Sequence, residues 1–258
     1  MKLLSQIIRA AAPLPVLETY QRFLFVGPHP DDIEIGAGAT AAKLADAGKE
    51  ICFLICTDGR FGFDHIPADQ ITPEELARIR KEEALHSAQM LGVTDVRFGN
   101  LSDGAFYTRE ELSSVILRTI SEFQPEVIFC PDPSVTSECH SDHLNVGEAS
   151  KRAACFAPNT KIMERHGLQS APVQAVAFYM TAKPNRYVGT NGYLQQQLDA
   201  IFLCHQTQFP KGSSAEKSIR LYLKIRAYDF VLKSLHKTAE GFRVLGQTHM
   251  HCLPEAGD

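Results

Sequence analysis

The first 57 residues alternate between short apolar runs and a helix-like segment, and this alternation constrains the fold most. Residues 22–27 are almost continuously apolar and end in a loop, which is typical of a strand buried on both faces. Residues 36–48 begin with small side chains and end in a glycine, which predicts a helix packed closely on a sheet. Residues 50–57 form a second apolar run. A strand, a helix and a strand in this order predict a parallel sheet with right-handed crossovers.

The rest of the chain continues this order, so we expect one α/β domain over residues 1–258, with a mostly parallel, Rossmann-like sheet flanked by helices. Thr72, Pro73 and Glu75 have the spacing of a capping box with proline at the first helical position, which predicts a helix to about residue 91. The other predicted strands cover residues 94–98, 126–130, 174–180 and 186–188. The other predicted helices cover residues 110–123, 143–156, 194–205 and 214–235.

The composition excludes several classes of protein. Of the 258 residues, 44% are hydrophobic and 22% are charged, as in a globular domain with a sizeable core. A net charge of −4 gives no electrostatic reason to expect nucleic acid as a partner, and a small polar molecule fits better. We expect no membrane span and no secretion signal, and therefore a cytoplasmic protein. The seven cysteines are expected as reduced, mostly buried thiols, and homo-oligomer formation is left open.

Two polar motifs follow predicted strands at the edge where an open α/β sheet carries its binding site. The sequence His-Pro-Asp-Asp occupies residues 29–32, and His-Ser-Asp-His occupies residues 140–143. Because the loops after parallel strands meet at one edge, we expect the two motifs to converge. Three histidine or aspartate ligands with one open position define a hydrolytic zinc site. Either motif alone is also compatible with a helix cap or a solvated loop, but their joint occurrence favours a site.

These motifs resemble those of the LmbE-like, or PIG-L, family of zinc-dependent N-acetylglucosaminyl deacetylases. The similarity runs from about residue 24 to residue 244 and includes Gly-Ala-Gly-Ala-Thr at 36–40, Thr-Asp-Gly at 57–59, Arg80 with Glu83, Leu-Gly-Val at 91–93, Asp103 with Gly104, His-Gln-Thr-Gln at 205–208 and Ala-Glu-Gly-Phe at 239–242. Ile33 stands where many members carry glutamate, and Thr207 replaces the usual serine.

The resemblance implies a role for each residue of the two motifs. The implied ligands of one zinc ion per chain are His29, Asp32 and His143, although these ligand types also suit iron or cobalt. Asp31 is implied as the general base. His140 is implied as the group that stabilises or protonates the developing oxyanion and leaving group. Asp142 is implied to orient His140 and to raise its pKa.

The expected reaction is hydrolysis of the N-acetyl group of a small molecule that contains N-acetylglucosamine, which gives a free amine and acetate. Zinc suits this chemistry because it lowers the pKa of a bound water to ~7 and polarises the carbonyl. The substrate is left open among a glycoside, a nucleotide sugar and an antibiotic or thiol precursor. One alternative is an amidase that acts on a thiol-sugar conjugate. Another is a non-catalytic sugar- or nucleotide-binding module, which is disfavoured because Gly36 and Gly38 lack the further glycine of a dinucleotide fingerprint.

Polar residues outside the two motifs each have a functional and a structural interpretation. Arg80 is expected to bind sugar hydroxyls or a phosphate, or else to be a solvated helical arginine. Asp103 is expected to fix a sugar hydroxyl, or else to form a turn. The remaining candidates are a packed thiol at Cys139, a site-wall or capping role at His205, and a satisfied or exposed pair at His249 and His251.

Overall fold

The computed structural model describes residues 11–67, 69–230 and 235–253, and a seven-stranded sheet organises them. The strands are β1 Arg22–Gly27, β2 Glu50–Thr57, β3 Asp95–Leu101, β4 Val127–Pro131, β5 Ala175–Tyr179, β6 Arg186–Gly189 and β7 Ala239–Gly246. Their order across the sheet is β3-β2-β1-β4-β5-β7-β6. The first five strands in this order pair in parallel, and β7 is antiparallel to both β5 and β6. The predicted mostly parallel sheet is confirmed.

Helices cover both faces of the sheet. They are α1 Asp32–Asp46, α2 Pro73–Met90, α3 Arg109–Phe123, α4 Ser141–Phe156, α5 Thr160–Arg165, α6 Leu194–Asp199, α7 Ser214–Asp229 and α8 Gln247–Cys252. Because successive strand side chains point to opposite faces, Phe23 and Phe25 pack with α1 and α2, whereas Leu24 and Val26 pack with α3 and α4. Within the described residues, no helix is both long and apolar enough to cross a membrane.

Local signals in the sequence predicted several elements closely. Strands β1 and β2 have the predicted bounds, and α2 begins with the predicted capping box between Thr72 and Glu75. Other predictions were wrong or incomplete. Helix α1 begins at Asp32 rather than at Gly36, and neither α5 nor β7 was predicted. The predicted helix 214–235 ends at Asp229, and residues 231–234 lie outside the described residues.

Helix α1 contains a kink that separates its first turn from the rest. Ala37 has φ −154° and ψ 17°, which are not helical angles. Two side chains satisfy the backbone groups that the kink leaves free. The Gln197 amide donates to a carbonyl of the first turn at 2.8 Å, and the Glu240 carboxylate accepts from the amides of Ala39 and Thr40 at 3.3 and 2.7 Å. The kink therefore fixes the direction of the first turn, which carries Asp32.

The strand order creates a crevice between β1 and β4. The chain leaves β1 towards β2 on one side of the sheet, whereas it leaves β4 towards β5 on the other side. Ligands of open α/β sheets bind at such a switch point, outside the carboxyl ends of the strands. The loops after β1 and β4, which carry the two predicted motifs, meet here.

Candidate active site

Three side chains from the two motifs converge at the crevice. The imidazole of His29 lies with Nδ1 3.0 Å from Oδ2 of Asp32, and the imidazole of His143 lies with Nε2 3.4 Å from Oδ1 of the same carboxylate. One ligand atom from each of the three residues lies within 4.8 Å of the other two. The structure therefore brings together the predicted ligand set from the loop after β1 and the starts of α1 and α4.

The outer nitrogen of His29 contacts Asp142. The Nε2 atom of His29 lies 3.1 Å from Oδ2 of Asp142, and the same carboxylate accepts from the amides of Gly104 and Ala105 at 2.7 and 2.9 Å and from the Tyr107 hydroxyl at 2.7 Å. Asp142 is fully buried. Four donors saturate the carboxylate, so it fixes the orientation of the His29 ring and leaves Nδ1 facing Asp32.

The outer nitrogen of His143 has an equivalent partner, Glu138, which the sequence analysis missed. The Nδ1 atom of His143 lies 3.0 Å from Oε2 of Glu138, and Oε1 accepts from the amide of His140 at 2.8 Å. Each of the two histidines thus has a carboxylate on the nitrogen that faces away from Asp32. The available signal was an acidic residue two positions before His140, on the same strand-end loop.

The electrostatics of this cluster fit a divalent cation. Burial lowers the pKa of His29, but its ring hydrogen bonds to Asp142 and Asp32 outweigh burial and raise the pKa to about 10. Burial likewise lowers the pKa of His143, but Asp32 and Glu138 raise it to about 9. The surplus of carboxylates thus favours positive charge at the two imidazoles, and a cation held by His29, Asp32 and His143 would supply that charge.

A second group, His29, His140 and Asp142, also has ligand atoms within 4.8 Å of one another. It is the weaker candidate for a cation. The carboxylate of Asp142 already accepts two backbone amides and a hydroxyl in addition to His29. Binding a cation there would compete with these buried hydrogen bonds.

Asp31 lies beside the cluster in a strained conformation. Its φ of 126° is in a region that residues other than glycine rarely adopt. Its carboxylate makes no capping bond to α1 and instead lies 3.3 Å from Nη2 of Arg80. Burial raises the pKa of Asp31 to about 6, against the lowering effect of Arg80. This places a carboxylate with a near-neutral pKa next to Asp32.

Arg80 is buried, so the alternative of a solvated helical arginine is wrong. Its guanidinium donates to the carbonyls of Gly59 and Pro30 at 3.1 and 2.8 Å. Arg80 therefore ties the loops after β1 and β2 together and positions Asp31. It also lines the cleft, so its predicted contact with substrate stays a prediction.

The predicted contact, in which the Asp142 carboxylate orients His140, was wrong. Nδ1 of His140 lies 3.9 Å from the Asp142 carboxylate, and it accepts the backbone amide of Asp142 at 3.2 Å. Burial and the neighbouring rings of His29 and His143 lower the pKa of His140, and together they outweigh the raising effect of Asp142. The expectation of a raised pKa was wrong, because burial and the two neighbouring imidazoles act more strongly on His140 than Asp142 does at 3.9 Å. A neutral His140 with Nδ1 as acceptor carries its proton on Nε2.

A cleft of about 320 Å³ opens in front of these groups. Asp103 lines it, and its carboxylate accepts from the amide of Phe61 at 3.1 Å. His205 does not line the cleft but is fully buried, with Nε2 3.3 Å from Glu34. Cys139 was expected as a packed thiol and is exposed instead.

The two C-terminal histidines have structural contacts. His249 accepts the amide of Gly246 at 3.1 Å and lies 3.0 Å from the carbonyl of Ala12, as expected of a satisfied residue. Nε2 of the exposed His251 lies 3.3 Å from the thiol of Cys155.

The chain is similar in sequence to one protein family and to several deacetylases. Residues 24–154 match the protein family described as GlcNAc-PI de-N-acetylase, or PIG-L. The chain is 33% identical over 239 residues to the diacetylchitobiose deacetylase of Thermococcus kodakarensis, and the match covers 92% of this chain and 87% of that protein. It is 31% identical over 206 residues to the 1D-myo-inositol 2-acetamido-2-deoxy-alpha-D-glucopyranoside deacetylase of Kineococcus radiotolerans, over 69% of this chain and 56% of that protein.

A solved structure agrees over nearly the whole chain. The N,N'-diacetylchitobiose deacetylase from Pyrococcus horikoshii, complexed with its inhibitor MPG, superposes with a TM-score of 0.86 at 28% sequence identity. The superposition covers 98% of this chain and 95% of that one. The similarity therefore extends through β7 and α8, well beyond the region of the family match.

Proposed function

Because the chain belongs to the GlcNAc-PI de-N-acetylase (PIG-L) family, we propose that it is a metal-dependent hydrolase that removes the N-acetyl group from a small molecule containing N-acetylglucosamine. The products are the free amine and acetate. The observation that carries this proposal is the convergence of His29, Asp32 and His143 around one point, with the carboxylate of Asp31 beside them. Both relatives described above are deacetylases of sugar compounds.

The proposed cofactor is one zinc ion per chain, held by His29, Asp32 and His143. The donor set of two imidazoles and one carboxylate suits zinc and leaves a position for water or substrate. When bound, such an ion would polarise the amide carbonyl and make water a stronger acid. Asp142 and Glu138 would orient the two imidazoles through their outer nitrogens.

Asp31 acts as the general base in this proposal. Its carboxylate, fixed by Arg80, accepts a proton from the attacking water as the water oxygen forms its bond to the acetyl carbon. With a pKa of about 6, it is mostly ionised at neutral pH and still basic enough to accept that proton. The same proton is then available to the sugar nitrogen when the carbon–nitrogen bond breaks, so that the amine leaves in a neutral form.

His140 acts as a hydrogen-bond donor. Its Nδ1 accepts the amide of Asp142, so its Nε2–H is free to donate to the amide oxygen of the substrate as negative charge develops there. Its side chain is 48% exposed and lines the cleft, which gives a substrate access to this proton. A non-catalytic binding module is not favoured, because such a protein has no need of Asp31 and His140 in these positions.

The proposal is tested by acetate release from N-acetylglucosamine and N,N'-diacetylchitobiose, with zinc-loaded and chelator-treated protein. Asp31→Asn should retain zinc and lose about 10²- to 10⁴-fold in turnover, because the amide keeps the size of the side chain but not its basicity. Asp69→Asn is the matched control, since Asp69 is an exposed aspartate outside the cleft lining. Near-normal turnover in Asp31→Asn would remove Asp31 from the mechanism. Absence of acetate release from these two sugars, from a nucleotide-linked N-acetylglucosamine and from an inositol glycoside of N-acetylglucosamine would overturn the proposed function.

A further inference from the structure

A second large cavity lies away from the cleft, between α3, the end of α4 and the segment after α5. Its volume is about 530 Å³, whereas the cleft in front of His29 measures about 320 Å³. A smaller cavity of about 110 Å³ adjoins it and shares the side chains of Arg109, Ser113 and Arg152. We refer to the two cavities together as the arginine groove. A volume of several hundred Å³ suits a small molecule.

Helix α3 presents two neighbouring rows of polar side chains to the arginine groove. Arg109 and Ser113 are one helical turn apart and form one row, and Ser114 and Arg118 form the next row in the same way. Arg152, near the end of α4, lines the groove from the other side. Three guanidinium groups and two hydroxyls therefore face one cavity, and all five groups can donate hydrogen bonds.

The positive charges in the groove are only partly compensated. Arg152 pairs with Glu148 at 3.0 Å. Arg109 and Arg118 form no ion pair and no side-chain hydrogen bond with any other residue that the structure describes. The chain as a whole has a net charge of −4, so this clustering of arginines is not a result of overall composition. Like charges around one cavity repel each other, and a bound anion would relieve that repulsion.

The carboxylates near the groove do not neutralise it. Glu148 lines the smaller cavity, but it already contacts Arg152 and lies 3.8 Å from the ammonium group of Lys151. Glu110 is the carboxylate that lines the larger cavity among the described residues. It faces the two unpaired arginines, Arg109 and Arg118, so the groove retains an excess of positive charge.

The donors in the groove suit a phosphate group. A phosphate ester carries close to two negative charges and three acceptor oxygens, which several guanidinium forks can bind at once. The hydroxyls of Ser113 and Ser114 and the imidazole of His166 add further donors. A carboxylate offers one charge and two oxygens and would use fewer of these groups. Leu117 and Leu168 also line the cavity and provide an apolar surface beside the donors.

We propose that the arginine groove is a binding site for the phosphate group of a small molecule, separate from the sugar site in the cleft. The two sites share no lining residue and differ in charge, since carboxylates of Asp31, Asp64 and Asp103 line the cleft. With a helical rise of about 1.5 Å per residue, Arg152 lies about 15 Å further along α4 than Asp142. A ligand at Arg152 and a sugar at the cleft can therefore be bound at the same time.

The test measures binding of phenyl phosphate by calorimetry to the zinc-loaded wild type, to Arg118→Ala and to Arg109→Ala/Arg118→Ala. We expect each arginine removed to weaken binding about tenfold, since a hydrogen bond to a charged group contributes about one decade of affinity or more. Lys217→Ala/Lys224→Ala removes two exposed positive charges from α7 and is the matched control, whose affinity should equal that of the wild type. Because Arg109 and Arg118 are exposed, the ligand-free double variant should unfold at the wild-type temperature.

Two further probes identify the bound group and its source. Benzoate has an aromatic ring but a single charge, so it should bind about tenfold more weakly than phenyl phosphate or worse. Inorganic phosphate separates two sources of the same chemistry. Tighter binding of phenyl phosphate indicates an organic ester that uses the leucine surface, whereas equal binding indicates free phosphate. Either result supports the site if the double arginine variant loses the affinity.

Three results would overturn the proposal. They are no saturable binding of either phosphate to the wild type, an unchanged affinity in the double arginine variant, and equal affinities for benzoate and phenyl phosphate. Binding that disappears when zinc is removed, but persists in the double variant, would place the anion in the cleft and would overturn it as well. These measurements need no acetate release, so they are independent of the proposed function.

Discussion

Replacing Asp142 by asparagine tests whether this residue acts through His29 or through His140. The structure gives the carboxylate four donors, and one of them is Nε2 of His29. An asparagine keeps one oxygen and replaces the other by an amide group that donates. The change therefore removes negative charge and two acceptor positions while leaving the side-chain volume nearly unchanged.

The loss of stability follows from the hydrogen bonds. If the new amide group takes the place of Oδ1, the Tyr107 hydroxyl can turn to accept from it, but the amide of Ala105 is left without an acceptor. One buried unpaired donor, together with the weakening of the bonds that a charged acceptor received, lowers the free energy of unfolding by about 2–4 kcal/mol. Unfolding of the metal-free protein in urea, followed by circular dichroism, measures this loss.

The zinc affinity separates the two roles. Because the bond from His29 to a neutral amide is weaker, the ring is less well oriented, and we expect zinc affinity to fall about 10- to 100-fold. This corresponds to about 1.4–2.7 kcal/mol. Competition with a chromogenic chelator measures the affinity. If Asp142 acted only through His140, zinc affinity would not change, and that outcome would refute the role assigned here.

Tyr107→Phe is the matched control. It removes one of the four donors to Asp142 and leaves the contact with His29 in place. We expect a loss of about 1 kcal/mol in the free energy of unfolding and little change in zinc affinity. Equal effects of the two variants on zinc affinity would show that the hydrogen bonds around Asp142, and not its contact with His29, determine metal binding.

Two further predictions concern stability away from the cleft. Burial raises the pKa of Glu240 from 4.5 to about 7, although its hydrogen bonds to Thr40 lower it. Between these two pH values the folded chain therefore retains a proton that the unfolded chain releases. The free energy of unfolding then falls by up to about 3 kcal/mol as the pH rises from 4.5 to 7. Glu240→Gln should remove this part of the pH dependence in urea unfolding at pH 5 and pH 8, and an unaltered dependence would exclude Glu240 as its source. Arg243 is paired with buried Asp132, so Arg243→Ala should cost about 3–5 kcal/mol. Arg78→Ala, at the exposed pair that Arg78 forms with Glu82, should cost about 1 kcal/mol or less by the same assay, and similar losses at both sites would contradict this reasoning.

The sequence by itself determined the elements whose signals are local. Strands β1 and β2 are continuous apolar runs. The start of α2 is encoded in four consecutive residues, the capping box from Thr72 to Glu75. The positions of the two polar motifs also predicted that the loops after β1 and β4 would converge, because parallel strands place their carboxyl ends at one edge. The family resemblance then singled out His29, Asp32 and His143, whose ligand atoms do lie together.

Strand β7 was missed because its sequence carries charges at interior positions. Glu240 and Arg243 interrupt the apolar pattern that predicts a buried strand. Each charge has a partner far away in the chain: Glu240 accepts from the kinked helix α1, and Arg243 pairs with Asp132 at the end of β4. Those partners are known only once the sheet is assembled, so no local pattern could have predicted that these charges are tolerated inside.

The partners of the site residues were likewise decided by the tertiary structure. Asp142 is one residue from His143 and two from His140, yet its carboxylate binds His29, which is 113 positions away, because α4 and the loop after β3 turn it towards β1. Sequence spacing gives the types of residue that a site contains. Which nitrogen faces which oxygen depends on the directions in which separate loops enter the crevice, and the packed sheet sets those directions.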